Sequence, residues 1–332
     1  MARTPPARTY RGTARNLARL AACLRAGDLV AVPTETVYGL AAHALDARAC
    51  ARIFRAKGRP ASDPLIVHLH SVRQLGLVCL PNAAAHRLAR AFWPGPLTLV
   101  LPKTPAVPAI VTSGRDSVAV RVPRHPLFRR LLRLAGVPLA APSANPFGYI
   151  SPTTAEHVRQ GLGGKIRHIL DGGPASIGLE STIVDLRDPS RPAVLRPGAI
   201  TAEQIARVLG RRVAAPQPAA AQPGAQVAPG LLARHYSPRT PLVLHKKVPA
   251  ALRGRAPANE AFLLQRQPRG AASAAHVFWL DATGDLPGVA RRLFAMLRRL
   301  DAQGFVRIHA ELAPDRGLGR AINDRLRRAA AR

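Results

Sequence analysis

The chain has 332 residues, and 49 basic against 18 acidic side chains give it a formal charge of +31, with 47% hydrophobic and 4% aromatic residues. That hydrophobic content excludes a disordered chain, and the length suggests two domains, each able to bury its own core. Basicity invites a nucleic-acid partner, yet 44 of the basic residues are arginine and the excess is spread out, +21 over residues 1–241 and +10 over 242–332, so it points to a polyanion only weakly.

Six arginines precede the first acidic residue, Asp28, a superficial likeness to a transit peptide. Leu17, Leu20, Ala21 and Leu24 share a helical face and Gly27 is placed to end it, so the start reads as a plain amphipathic helix. Next, short apolar runs alternate with helical patterns. Residues 29–33, 65–69, 97–101, 118–122, 139–141, 182–186 and 193–195 read as strands, and 47–56, 83–91, 127–134, 154–160 and 202–209 as helices. The alternation predicts an α/β fold over residues 1–212, with helices packed on a largely buried sheet. Residues 213–230, almost entirely Ala, Pro, Gln and Gly without a period, read as a linker. Beyond it, 241–244, 261–264, 276–280 and 305–308 look like strands and 289–300 and 318–330 like helices, a second, smaller α/β unit over residues 242–332. No internal repeat is visible.

Cys23, Cys50 and Cys79 are odd in number and lack the spacing of a zinc or redox motif, as expected in a reducing cytoplasm. Apolar stretches such as residues 92–101 are too short for a bilayer and contain prolines, so no membrane association is expected. The glycine runs at 161–166 and 317–320 fit neither a P-loop nor a dinucleotide fingerprint, and no nucleophile elbow or metal-ligand spacing occurs.

Polar residues gather instead at the ends of predicted strands, where open α/β sheets bind ligands. PTETVYGL (33–40) offers Thr34, Glu35, Thr36 and Tyr38 directly after a strand. KGRPASDPLIVH (57–68) carries Lys57 and Arg59 at a helix end, then Asp63, and finishes a strand at His68. APSANPFGYISPTTAEH (141–157) passes Ser143 and Asn145 into a helix whose N-terminus, around Ser151 to Thr154, is a place for an anion. ESTIVDL (180–186) and VLRPG (194–198) add Ser181 and Arg196. Each type has a structural use too, since Ser, Thr and Asn cap helices and Lys-Gly ends them. Spacing alone leaves both readings open.

In this order the segments resemble the threonylcarbamoyl-AMP synthase family, the YrdC-like enzymes of tRNA modification. The resemblance runs through GDLVAVPTETVYGL, KGRP, FWPGPLTLVLP, VAVRVP, APSAN, the Ser-Pro-Thr-Thr segment, DGG, ESTIVDL and LRPG, over residues 13–210. ARHYSP (233–238) and PDRGLGRAINDRLRRAA near the end look like the family's longer, two-domain branch.

The resemblance implies a YrdC-like twisted sheet with flanking helices, a smaller C-terminal Rossmann-like α/β domain, and a linker and lid at residues 213–241. It also implies synthesis of L-threonylcarbamoyladenylate from L-threonine, bicarbonate or CO2 and ATP, with release of pyrophosphate. A tRNA threonylcarbamoyl transferase complex would use the product beside the anticodon. By that likeness Lys57, Arg59, Ser117, Ser143, Ser151 and Arg196 contact ATP, with Lys57, Arg59 and Arg196 as the catalytic cations and Asn145 supporting the Ser143 loop. Thr36, His68, Arg121, Ala141 and Ser181 read threonine, Arg121 through its carboxylate. Tyr236, with His235 beside it, reaches back over the nucleotide, and Mg2+ accompanies the ATP. Asp63 departs from the family pattern, which has Asn or His there; it repels phosphate unless Arg59 or Mg2+ compensates, or serves as a metal ligand or turn residue. Weak binding of tRNA or double-stranded RNA is compatible with the charge, and a non-catalytic RNA-binding module is the alternative. Scattered aromatics argue against that alternative.

Overall fold

The computed structural model describes residues 7–215, 224–255, 257–268 and 275–331. Residues 216–223, the centre of the expected linker, lie outside the described residues. Ten strands make one sheet: β1 Arg8–Arg11, β2 Val30–Val32, β3 Gly39–His43, β4 Ile66–His68, β5 Leu97–Pro102, β6 Ser117–Arg121, β7 Leu139–Ala140, β8 His168–Asp171, β9 Thr182–Asp185 and β10 Ala193–Arg196. Across the sheet they run β1-β8-β2-β3-β7-β4-β6-β5-β9-β10. The sheet is mixed, with parallel pairs such as β4 with β6 and antiparallel ones such as β5 with β6.

Three of these strands escape the reading of the sequence. β1 buries only Tyr10, β3 reads Gly-Leu-Ala-Ala-His with one large apolar side chain, and β8 has just two buried apolar residues, Ile169 and Leu170, between His168 and Asp171, so none shows a long apolar run. Short turns of helix at Leu75–Val78, Ala109–Thr112 and Ala250–Arg255 were likewise not anticipated.

The helices cover both sheet faces. Ala14–Arg25 and Pro126–Ala135 bury Leu17, Leu20, Leu24, Phe128 and Leu131 against one side of β2, β3 and β8. Ala47–Lys57, Ala83–Phe92, Ala155–Leu162 and Ala202–Leu209 bury Ile53, Leu88, Val158 and Ile205 on the other. The remaining face, over β4, β5, β6 and β9, is covered by residues 227–231 of the expected linker. Ala228 is fully buried there beside Ile66, Val100, Ala119 and Ile183. The linker is thus part of the packing of the larger sheet.

β11 Leu242–His245, β12 Glu260–Arg266, β13 Val277–Asp281 and β14 Arg307–Glu311 form a second sheet, all parallel, in the order β11-β14-β12-β13. Helices Leu286–Ala302 and Leu318–Ala330 pack on it through Leu293, Leu297, Ile322 and Leu326. Val37, Ile150 and Leu179 from the larger unit join this same core. Gly178 makes the approach possible: at φ +82°, a Cβ there would lie 2.5 Å from the Arg291 Cα and 2.7 Å from the Ala290 carbonyl. Both obstacles are helix backbone and cannot swing aside.

Gly178→Ala is therefore expected to force the two units apart at this contact and cost about 1–3 kcal/mol. Calorimetric unfolding should show a lower melting temperature; an unchanged one would mean that the units do not meet at this contact.

Candidate active site

Helix Ala47–Lys57 is capped by Asp46 at one end and turned out at Gly58 at the other, which throws Lys57 and Arg59 inward on either side of the turn. Lys57 is buried, and its Nζ donates to the Ser143 and Asn145 carbonyls at 2.5 Å each. Burial and the neighbouring Arg59 push its ammonium well below the usual lysine range. Arg59 donates to the Asp63 and Pro64 carbonyls and pairs with the Asp63 carboxylate at 2.9 Å. Asp63, completely buried, is thus the counter-charge of Arg59, one of the uses that the sequence left open.

Strands β4 and β6 are parallel and in register at His68 and Arg121, so the two side chains leave neighbouring strand ends together. The Arg121 fork is held from below: Nε donates to the Gly95 carbonyl at 3.1 Å, Nη1 to Thr36 Oγ1 at 3.0 Å, and Nη2 pairs with Glu35 at 2.7 Å. Burial pushes the Glu35 carboxyl up, but the charge and hydrogen bond of Arg121 outweigh it and hold it below the usual range. Burial and the adjacent Arg121 drive His68 down to about 3, so its ring is neutral. A contact of 3.2 Å from Nδ1 to the Ile66 carbonyl places the ring proton on Nδ1.

After β7, the Ala141 amide donates to Ile66, which seats the Ser143 loop across the strand ends. Asn145 Nδ2 ties this loop to the Pro146 and Tyr149 carbonyls at 2.8 Å. The helix N-terminus that follows is not a free anion site. Thr154 caps it with its own side chain, and Ser151 Oγ donates to Glu180 at 2.5 Å, next to a carboxylate that repels anions.

At β9 and β10, Ser181 Oγ meets Thr98 Oγ1 at 2.8 Å, and Arg196 donates to both the Ser181 hydroxyl and carbonyl at 3.1 Å. Its Nη1 reaches the Pro229 carbonyl in the linker. Gly230 follows at φ +75°, where a Cβ would come 2.8 Å from the Tyr236 hydroxyl and 2.9 Å from Arg196 Nη1. Tyr236 itself is buried at φ +64°, a conformation that non-glycine residues rarely adopt, with its hydroxyl unpaired by hydrogen bonds. His235 packs edge-on against it, 4.1 Å between ring centres.

These elements enclose a small cleft. Of the residues expected from the sequence, Thr36, Arg59, His68, Arg121 and Ala141 line it, as do Ser143, Ser181, Arg196 and Tyr236. Lys57, Asp63, Asn145 and Ser151 stand behind the lining and hold it in place. Ser117 starts the strand that Arg121 ends; it is buried with its hydroxyl unpaired and lies outside the lining. Sequence reasoning did not assign Glu35, Glu180 or Arg325. All three sit inside segments singled out for other reasons, and the pairing of Arg325 with Glu180 at 2.7 Å spans 145 residues, so no local signal announces it.

The chain is similar to known proteins along most of its length. The Sua5/YciO/YrdC family model, described as "Telomere recombination", matches residues 22–198, and the model described as "Threonylcarbamoyl-AMP synthase, C-terminal domain" matches 200–331. A threonylcarbamoyl-AMP synthase of Pyrococcus abyssi is 43% identical over 92% of this chain and 91% of its own length; one of Bacillus subtilis is 42% identical over 95% and 92%. The crystal structure of P. abyssi Sua5 complexed with L-threonine superposes with a TM-score of 0.88 at 40% identity, covering 97% of this chain and 96% of that one.

Two outcomes are expected. In an NMR titration the His68 ring keeps neutral shifts from pH 8 to 5; a midpoint near 6.5 would contradict its burial. The Glu35 carboxyl, lowered in the folded state, contributes stability above its unfolded value of about 4.3, lost as pH falls through the folded value. Glu35→Gln should therefore cost on the order of 3 kcal/mol at pH 7 and flatten the acid limb of the stability profile, as urea unfolding at several pH values would record.

Proposed function

The chain belongs to the Sua5/YciO/YrdC family and matches its threonylcarbamoyl-AMP synthases along nearly its whole length, and from that premise we propose how its cleft makes L-threonylcarbamoyladenylate. The threonine amine attacks CO2, forming the N–C bond of a carbamate and losing a proton. A carbamate oxygen then attacks the α-phosphorus of ATP, and the bond to pyrophosphate breaks. A tRNA-modifying transferase would take the threonylcarbamoyl group onward to the adenosine next to the anticodon.

The observation that carries this reading is the convergence of three buried arginines, Arg59, Arg121 and Arg196, on one small cleft. Carboxylate, carbamate and triphosphate are all anions, and bringing them together requires fixed positive charge. Arg121 is suited to the threonine carboxylate, with neutral His68, Thr36 and Ser181 near the amine and hydroxyl. Arg59 and Arg196 suit the phosphates, while Lys57 fixes the Ser143 loop through its carbonyls. Among the described residues no set of carboxylates converges on the cleft, since Glu180 is held by Ser151 and Arg325, and Asp63 by Arg59. Among the described residues the one grouping with metal-ligand proximity, Cys23, Asp28 and His168, lies elsewhere. These residues fit Mg2+ that arrives coordinated by the triphosphate. Among the described residues no helix is long and apolar enough to cross a membrane, and a cytoplasmic reaction is part of this proposal.

Purified protein incubated with Mg2+, ATP, bicarbonate and labelled threonine should release pyrophosphate only when threonine and bicarbonate are both present. Arg121→Ala and Arg196→Ala should each reduce the rate on the order of 10²-fold or more. Folded protein that shows no such turnover, but binds tRNA with a steep salt dependence, would overturn this reading in favour of a non-catalytic RNA-binding module.

A further inference from the structure

Among the described residues none of 242–331 lines the cleft, yet one side chain of this second α/β unit grips the cleft wall from behind. Arg325, on helix Leu318–Ala330, has no exposed surface. Each of its guanidinium nitrogens is used: Nε donates to Glu180 Oε2 at 2.7 Å, Nη2 to the Pro197 carbonyl at 3.1 Å and Nη1 to Asp324 at 2.6 Å. Glu180 directly precedes Ser181, and Pro197 directly follows Arg196. Arg325 therefore holds the chain beside both members of the Ser181–Arg196 pair, and through the other oxygen of Glu180 it also fixes Ser151.

The same guanidinium lies 5.2 Å from the centre of the Tyr236 ring, which stacks on Phe294 of the C-terminal domain at 5.5 Å. One turn further on, Arg328 donates to the Leu232 carbonyl and accepts from the His235 amide. A single helix face thus touches the wall behind Arg196 and the linker segment over it. An ion pair that only stabilised the interface would not need this fork, because well-packed apolar residues do as well or better at a buried contact.

We propose that Arg325 is a positioning residue for the nucleotide half of the cleft, acting through Glu180, the Pro197 carbonyl and Tyr236. The proposal rests on the synthase reading above. It gives the C-terminal domain a part in the reaction without any contact to substrate. Arg196 and Tyr236 are aligned only while the second domain is docked, whereas the polar partners that hold Arg121, the threonine-carboxylate group, all belong to the first.

Arg325→Lys, Arg325→Met, Glu180→Gln and the double variant E180Q/R325M would be assayed for pyrophosphate release with ATP varied, for threonine affinity by calorimetry, and for melting temperature. Wild-type turnover is the control, and its absence would count against the synthase reading, not against Arg325. Arg325→Lys keeps the charge but cannot reach Glu180 and Pro197 together. It should raise the KM for ATP about tenfold or more, with threonine affinity within about threefold of wild type. Removing both partners leaves no buried unpaired charge, so the double variant should melt above Arg325→Met while its KM for ATP stays at least as high as that of Glu180→Gln. The idea is overturned if Arg325→Lys has wild-type KM for ATP, if threonine and ATP affinities fall in parallel, or if the KM for ATP recovers together with the melting temperature.

Discussion

Four cationic side chains, Lys57, Arg59, Arg121 and Arg196, are buried around one cleft at 7% exposure or less, and stripping water from them is the cost to which the surroundings respond. Only two of the four have a carboxylate partner, Asp63 for Arg59 and Glu35 for Arg121. Arg196 is held by carbonyls and a hydroxyl, which fix a cation without neutralising it, and Lys57 by two carbonyls, while burial and Arg59 push its ammonium down. The cleft therefore retains net positive charge in a poorly solvated space. An arriving polyanion meets donors already oriented, and little reorganisation remains at the moment of reaction.

That constraint also explains the role of the backbone. The loops that supply carbonyls to these cations are the ones the strand ends deliver: 143–145 after β7, 63–64 before β4, and Gly95 before β5. A shift of one strand would carry off both a cation and its acceptors. The linker is drawn into the same logic, because the Pro229 carbonyl accepts from Arg196 and Ala228 packs on the sheet beneath. A segment whose composition suggests a free tether is anchored by a charge it helps to hold.

How much of this is legible in the sequence follows from the range of the signals. Apolar periodicity located the long helices and buried strands within a few residues, and the runs of polar residues at strand ends marked Thr36, Arg59, His68 and Arg196, whereas Arg121 came only from the family resemblance. Strands of mixed composition, such as β1 and β8, show no pattern because their burial comes from neighbours distant in sequence. Lys57 and Ser151 read alike in sequence with true lining residues; only the fold shows their polar atoms turned to Ser143, Asn145 and Glu180. Glu180 and Arg325 each lie in a segment that the resemblance picked out, but their pairing was not legible, since nothing local to either announces a partner 145 positions away.

The lining groups also bear on what kind of catalysis the cleft can perform. Its titratable members besides the three arginines are His68, His235, Tyr236 and Glu180. Arginine does not take up a proton at neutral pH. Both histidines are driven down, His68 by burial and Arg121, His235 by burial with Arg59, Lys57 and Arg196 around it, so each makes a poor resting place for one. Burial raises Tyr236, which keeps its phenol protonated. Glu180 already accepts from Ser151 and Arg325. Neither histidine nor Tyr236 is poised near neutrality in the manner of a general base. The proton of the threonine amine must then leave through the substrates or solvent, and the contribution of the protein is charge and alignment. A site of that kind depends on exact placement of its cations, which is why so many of the groups identified in it bind other protein atoms and not the cleft.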